Sequence, residues 1–387
     1  MNARSGILSN CKRRGPIIFL LFISVFYLSG CNDLRFNNVQ NLKEFIYVTH
    51  IPYTNGNSPT EYLISQYSIS ANGQLTPLNP QTVSAGFEGN AIFIDPSHKY
   101  AYVFQGYCIF GLSISSIAQY KVNTDGTLTF KSSNVATGCS ITFDPSGKYV
   151  YIGIENIDGT NQITQYTVQP DGTLQCVGIT SMTGYTYLVF NNNGSYAYAA
   201  NRSTGTISQY SVDAGGVLHA LTPATIQSGV SALAQPSAVI IHPSNQFVYS
   251  ANWVDGTISQ FSVNTDGTLR ALNPANVATV SCPDSMAVDP TGKYLYVASC
   301  AGGPIGQFSI GLGGTLTPLS PATVSAGNGS YTLAIDPSGR YLYVANAADN
   351  TISQYSVGAN GTLSPLSPAS IADSSGPEGI ISIAFAQ

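Results

Sequence analysis

Seven residues of this 387-residue chain could do chemistry or hold a ligand: His50, Glu88, Glu155, Arg202, Trp253, Asp284 and Glu378. An imidazole or a carboxylate can take a proton from an attacking water, and a guanidinium can steady the oxyanion that results. The same groups, with an indole beside them, could equally bind a polar ligand without reacting. Such groups are scarce, because only 9% of the residues are charged, against roughly 25% in an average soluble domain. No Gly-x-Ser-x-Gly elbow, phosphate loop, Gly-x-Gly-x-x-Gly turn or His-Glu-x-x-His motif accompanies them. Asn123-Thr124-Asp125-Gly126 and Asn264-Thr265-Asp266-Gly267 lack the spaced carboxylates and closing glutamate of a calcium loop and read as hairpin turns. Neither a metal nor a cofactor is expected.

A repeat sorts these residues to one place. The tetrad Ile-x-Gln-Tyr/Phe recurs with its glutamine at 66, 119, 165, 209, 260, 307 and 354, a mean step of 48. A turn glycine follows each at an offset of seven, at 73, 126, 172, 216, 267, 314 and 361. Most of these turns read Asn-Gly or Asp-Gly between alternating residues, a strong hairpin signal because both central residues need positive φ. A second hairpin turns on Asp-Pro-Ser-Gly, as in Asp336-Pro337-Ser338-Gly339 leading into Tyr341-Leu342-Tyr343. Each period thus holds four short strands, A to D, with no helical periodicity. This predicts an all-β fold, a seven-bladed β-propeller of four-stranded antiparallel blades. The chain opens on a B-like strand, Phe45-Ile46-Tyr47-Val48, and closes on an A-like one, Gly379 to Phe385. Pairing the C-terminal strand with the N-terminal strands completes the seventh blade and hides the edges.

The A–B and C–D turns keep their length and share one face. The B–C and D–A loops share the other and vary. From the second aromatic of strand B to the repeat glutamine the spans are 19, 17, 14, 11, 11, 11 and 11 residues. Loop variation on a rigid scaffold is where function usually sits. All seven candidates fall on this face: His50, Glu155, Arg202 and Trp253 end or follow B strands, and Glu88, Asp284 and Glu378 precede A strands. Tyr53, Tyr62, Tyr107 and Phe110 enrich its longest loops, whereas His98 and His242 lie in A–B turns and His219 on an outer strand.

Tyr343-Val344-Ala345-Asn346, Tyr249-Ser250-Ala251-Asn252 and the Asp-Pro-Ser-Gly turns resemble the YVTN-type propellers and the seven-bladed lactonase propellers, which include bacterial 6-phosphogluconolactonase. The resemblance implies a sugar-lactone hydrolase, with Glu155 matching the family's glutamate after a B strand. The family's Pro-Arg-His motif at a strand A entrance is missing. The matching segments read Pro236-Ser237-Ala238, Pro283-Asp284-Ser285 and Pro377-Glu378-Gly379. The sequence therefore favours a non-catalytic module that binds a protein, peptide or glycan as a monomer. The rival is a lactonase-like hydrolase using His50, Glu155 and Arg202.

The N-terminus predicts an export signal over 1–30, with Lys12-Arg13-Arg14 before an apolar run from Pro16 to Leu28. Leu28-Ser29-Gly30-Cys31 resembles a bacterial lipobox, which implies lipidation of Cys31, a tether over 31–44, the propeller over 45–387 and a lipid anchor in the envelope, at the outer membrane. Removing the signal moves the formal charge from −5 to −9, which excludes nucleic-acid binding. An oxidising compartment suits the cysteines: Cys282 with Cys300 and Cys108 with Cys139 are the expected disulfides, and Cys176 is expected to be buried and unpaired.

Overall fold

The computed structural model describes residues 44–386 except 53–61, 87–88, 106–115, 136–139, 156–159, 184–186, 232–233, 301 and 374–377. The expected export signal over 1–30, Cys31, most of the expected tether, Glu88, Cys108, Cys139, Tyr53, Tyr107 and Phe110 lie outside the described residues. The domain is a seven-bladed β-propeller whose sheets each hold four antiparallel strands. Blade 1 is the closing blade, in which Glu378–Ala386 serves as strand A beside Phe45–Pro52, Tyr62–Ile69 and Leu75–Gly86. Tyr47 pairs with Ala384 and Val48 with Ile383 across that seam. Blade 2 begins at Gly89, blade 3 at Ser140, blade 4 at Tyr187, blade 5 at Pro236, blade 6 at Pro283 and blade 7 at Ser330.

The repeated tetrad holds neighbouring blades together. The carboxamide Oε1 of Gln66, Gln209, Gln260, Gln307 and Gln354 accepts the backbone N–H of the leucine that begins strand D of the next blade, at 2.5–2.8 Å. The second aromatic of strand B does the same work on the adjoining carbonyl. Tyr47, Tyr102, Tyr151, Tyr198, Tyr249, Tyr296 and Tyr343 each donate their hydroxyl to the turn glycine of the following blade at 2.5–2.7 Å. The last of these bonds, Tyr343 to Gly73, closes the ring. Both motifs bury polar atoms only where a partner satisfies them.

The first aromatic of strand B lies flat on that same glycine. Gly361 adopts φ +81°, and a Cβ built there would stand 2.1 Å from Cδ1 of Tyr294. Gly361→Ala should therefore lower the unfolding free energy by about 2–4 kcal/mol, from the left-handed backbone and the overpacked ring together. A urea midpoint equal to that of the parent chain would show that the blade interface yields without cost.

Cys176 corrects an expectation. It is exposed rather than buried and carries no disulfide. Strand D of blade 3 is the outermost strand, and its neighbours Val177 and Ile179 are also exposed. An outer edge strand has no layer beyond it to cover a small apolar side chain.

Candidate active site

Counting from the second aromatic of strand B gives each loop position the same address in every blade. Four residues beyond it stand Glu155, Arg202, Trp253, Cys300 and Ala347, in blades 3 to 7. In the last three of these the backbone N–H bonds the carbonyl of the residue just before strand A: Trp253 to Gln235, Cys300 to Cys282 and Ala347 to Gly329, at 3.1, 3.0 and 2.8 Å. Those acceptors all have positive φ, +51° for Gln235, +53° for Cys282 and +69° for Gly329. Glycine takes that conformation freely, whereas a glutamine and a cysteine there hold strain. Strain of this kind collects where a side chain must be aimed, and both side chains point into one cluster.

The cluster is built from three blades. The Arg202 guanidinium lies over the Trp253 ring, 5.1 Å from its centroid, and its Nε–H reaches Oε1 of Gln235 at 3.4 Å. Trp253 in turn donates its indole N–H to Sγ of Cys300 at 3.2 Å. Cys300 is bridged to Cys282, as the sequence predicts, with the Cα atoms 5.6 Å apart. Directly after Cys282, strand A of blade 6 carries a bulge between Pro283 and Ser285 that leaves Asp284 without a cross-strand partner. Bulges of this kind re-aim side chains at sheet edges. Blades 5 and 7 carry the same bulge, at Ser237 and Tyr331. Ser237 is buried and donates to the Pro283 carbonyl at 2.6 Å, while Tyr331 is 40% exposed.

Among the described carboxylates of this rim, Asp284 is the one left available. Asp255 accepts from the backbone of Val230 and Ser231, and Asp349 from Asn328, so each pins a D–A loop. No group among the described residues hydrogen-bonds the carboxylate of Asp284. Burial pushes its pKa above the usual carboxylate range, and the nearby Arg202 charge pulls the other way. A half-buried carboxylate of raised basicity within the field of a guanidinium can take a proton from water, while the guanidinium N–H groups that Gln235 does not engage can meet developing negative charge.

His50 lies elsewhere. It is fully buried at the end of strand B of blade 1, with Nε2 2.8 Å from Oδ2 of Asp373 and 3.0 Å from Oγ of Ser65. Asp373 also accepts from the Tyr67 hydroxyl. His50 stands three residues past Tyr47, the address that Asn201, Asn252 and Asn346 occupy elsewhere. Each asparagine donates its amide to the matching strand C serine, Ser208, Ser259 or Ser353. The imidazole is thus the closing blade's version of an internal latch and not a group facing the mouth. Glu155 and Glu378 end and begin strands of blades 3 and 1, and their side chains lie outside what the structure describes. Arg202, Trp253 and Asp284 therefore come together, and His50 stands apart from them. Gln235 is the site residue the sequence reading passed over, and Cys300 was expected as a disulfide partner without its contact to Trp253. The fixed offset from the second aromatic was the signal for Cys300.

The sequence profile of the family described as "Lactonase, 7-bladed beta-propeller" matches residues 136–222 and 157–325. The 6-phosphogluconolactonase of Sodalis glossinidius (strain morsitans) is 26% identical over 219 residues, 53% of this chain and 61% of that protein. The 6-phosphogluconolactonase of Serratia proteamaculans (strain 568) is 26% identical over 220 residues, 53% and 62% of the two chains. The matches thus span about three fifths of the length of these relatives. Among solved structures, the periplasmic gluconolactonase of Pseudomonas aeruginosa shares the fold with a TM-score of 0.72 at 16% identity, over 89% of this chain and 99% of that one.

Proposed function

For a lactonase-family seven-bladed β-propeller, we propose hydrolysis of a sugar lactone at the rim of blades 4 to 6, with Asp284 as general base and Arg202 as oxyanion partner. The observation that carries this reading is the placement of a half-buried carboxylate with no hydrogen-bond partner among the described residues, and of a guanidinium lying over an indole, at two strained strand entrances. Asp284 takes a proton from water as its oxygen adds to the lactone carbonyl. The guanidinium meets the oxyanion, the ring C–O bond breaks, and the proton passes to the departing hydroxyl. No step calls for a metal or a cofactor.

The family resemblance supports this hydrolase better than the non-catalytic binding module that the sequence alone favours. The departure from Pro-Arg-His then bears on the substrate rather than on whether there is one. At the strand A entrances where that motif places arginine, this chain has Ser237, Asp284 and Glu378. Recognition of a phosphate favours paired guanidinium forks, and Arg202 is already engaged by Trp253 and Gln235. An uncharged aldonolactone fits such a site better than its 6-phosphate. The expected export signal, the lipobox resemblance and the Cys282–Cys300 bridge support an enzyme anchored outside the cytoplasm.

Purified residues 32–387 should open glucono-δ-lactone faster than the buffer alone and prefer it to the 6-phosphate. Arg202→Met should cut kcat about 10²–10³-fold, as loss of one oxyanion donor does. Rates at the buffer level with every aldonolactone tried would return the propeller to the binding-module reading.

A further inference from the structure

The Cys282–Cys300 bridge is not needed to shape its hairpin. Strands A and B of blade 6 are already paired from Pro283–Ser299 to Val288–Leu295. The backbone bond from Cys300 to Cys282 has counterparts of nearly the same length at Trp253–Gln235 and Ala347–Gly329, where no covalent link exists. What the bridge adds is a fixed sulfur at the rim. That sulfur receives the indole N–H of Trp253, and the indole carries Arg202. On its other side the bridge ends at Cys282, whose left-handed backbone lies two residues before the bulged Asp284.

We propose that the Cys282–Cys300 disulfide is a positioning element of the site. Through Trp253 it holds Arg202, so that opening the bridge releases the guanidinium, while Asp284 sits on a bulge that recurs in the unbridged blades 5 and 7. The role assigned to Asp284 and Arg202 rests on the lactonase reading, whereas the hold on Trp253 does not. Opening requires a dithiol reductant: two electrons and two protons convert the bridge into two thiols while the reductant closes to its own disulfide. The activity would then report the redox state of its surroundings.

Trp253 is the only tryptophan in the chain, and a bridge sulfur in contact with an indole quenches its emission. Treating residues 32–387 with dithiothreitol should raise and shift the tryptophan emission. The same treatment should lower kcat for glucono-δ-lactone about 10–100-fold, the scale of a misplacement near 1 Å, with KM changed far less. Reoxidation should restore both. The Cys282→Ser/Cys300→Ser double variant should match the reduced chain and no longer respond to dithiothreitol. An emission step in a chain that hydrolyses no lactone would support the hold on Trp253 and overturn only the lactonase reading. Unchanged emission and kcat after complete reduction, with only the melting temperature lowered, would show the bridge to be a fold clamp and overturn the proposal.

Discussion

Asp284→Asn should lower kcat for an aldonolactone about 10²–10⁴-fold, the range spanned by a positioned general base, and leave KM within a small factor. The substitution keeps size and shape at a bulge that no cross-strand partner depends on. No hydrogen bond among the described residues is lost, so folding should not change. The pH profile distinguishes this role from a merely structural one. A general base acts ionised, so kcat/KM should rise with pH through the carboxyl pKa of Asp284. Burial places that limb above the ordinary carboxylate range, with Arg202 opposing the shift. Arg202→Met removes the opposing charge and should move the limb to still higher pH. Asp284→Asn should abolish it. A parent-like profile in Asp284→Asn would assign the proton transfer to another residue, and Glu155, at the rim address one blade before Arg202, would be the next to test.

The fold was legible because its signals are local and periodic. Turn glycines at an offset of seven and a tetrad every 48 residues or so leave little room for another architecture. The tetrad's glutamine illustrates the limit of such reading. Its spacing marks a blade, but its task is a hydrogen bond to a leucine 56–62 residues later, or 279 residues earlier at the seam. The site was legible in part. Arg202, Trp253 and Asp284 could be assigned to one face from loop order alone. What joins them is a backbone conformation, left-handed at Gln235 and Cys282, that residue types not enriched there do not announce. His50 illustrates the opposite error. Its residue type suggested chemistry, while its offset of three from Tyr47 put it at an address that asparagines fill for packing. Equivalence within a repeat was the better guide than the identity of the side chain.

His50 consequently belongs to stability, and its pH dependence has a definite sign. Burial pushes the imidazole below its ordinary pKa, with Asp373 opposing, so the folded chain keeps it neutral with Nε2–H facing the Asp373 carboxylate. The unfolded chain titrates near about 6.5. Above that value both states hold the neutral ring and the full stability is present. As pH falls below it, the unfolded chain takes up a proton that the folded chain does not, and stability declines until the depressed folded pKa is reached. His50→Asn places at the seam the residue that blades 4, 5 and 7 use and removes this titration. Its melting temperature should therefore fall less than that of the parent chain between pH 7 and pH 5. His50→Ala should cost about 1.5–3 kcal/mol at neutral pH, because the buried Asp373 loses the hydrogen bond of the neutral imidazole and keeps that of Tyr67. The affected seam joins the last D strand to the closing blade, so opening should begin there. Amide exchange in 45–52 and 378–386 should speed up before exchange in blade 5. Parallel melting curves for parent and His50→Asn across that pH range would show that the ring stays in one protonation state on unfolding, and the latch would then owe nothing to burial of a neutral imidazole.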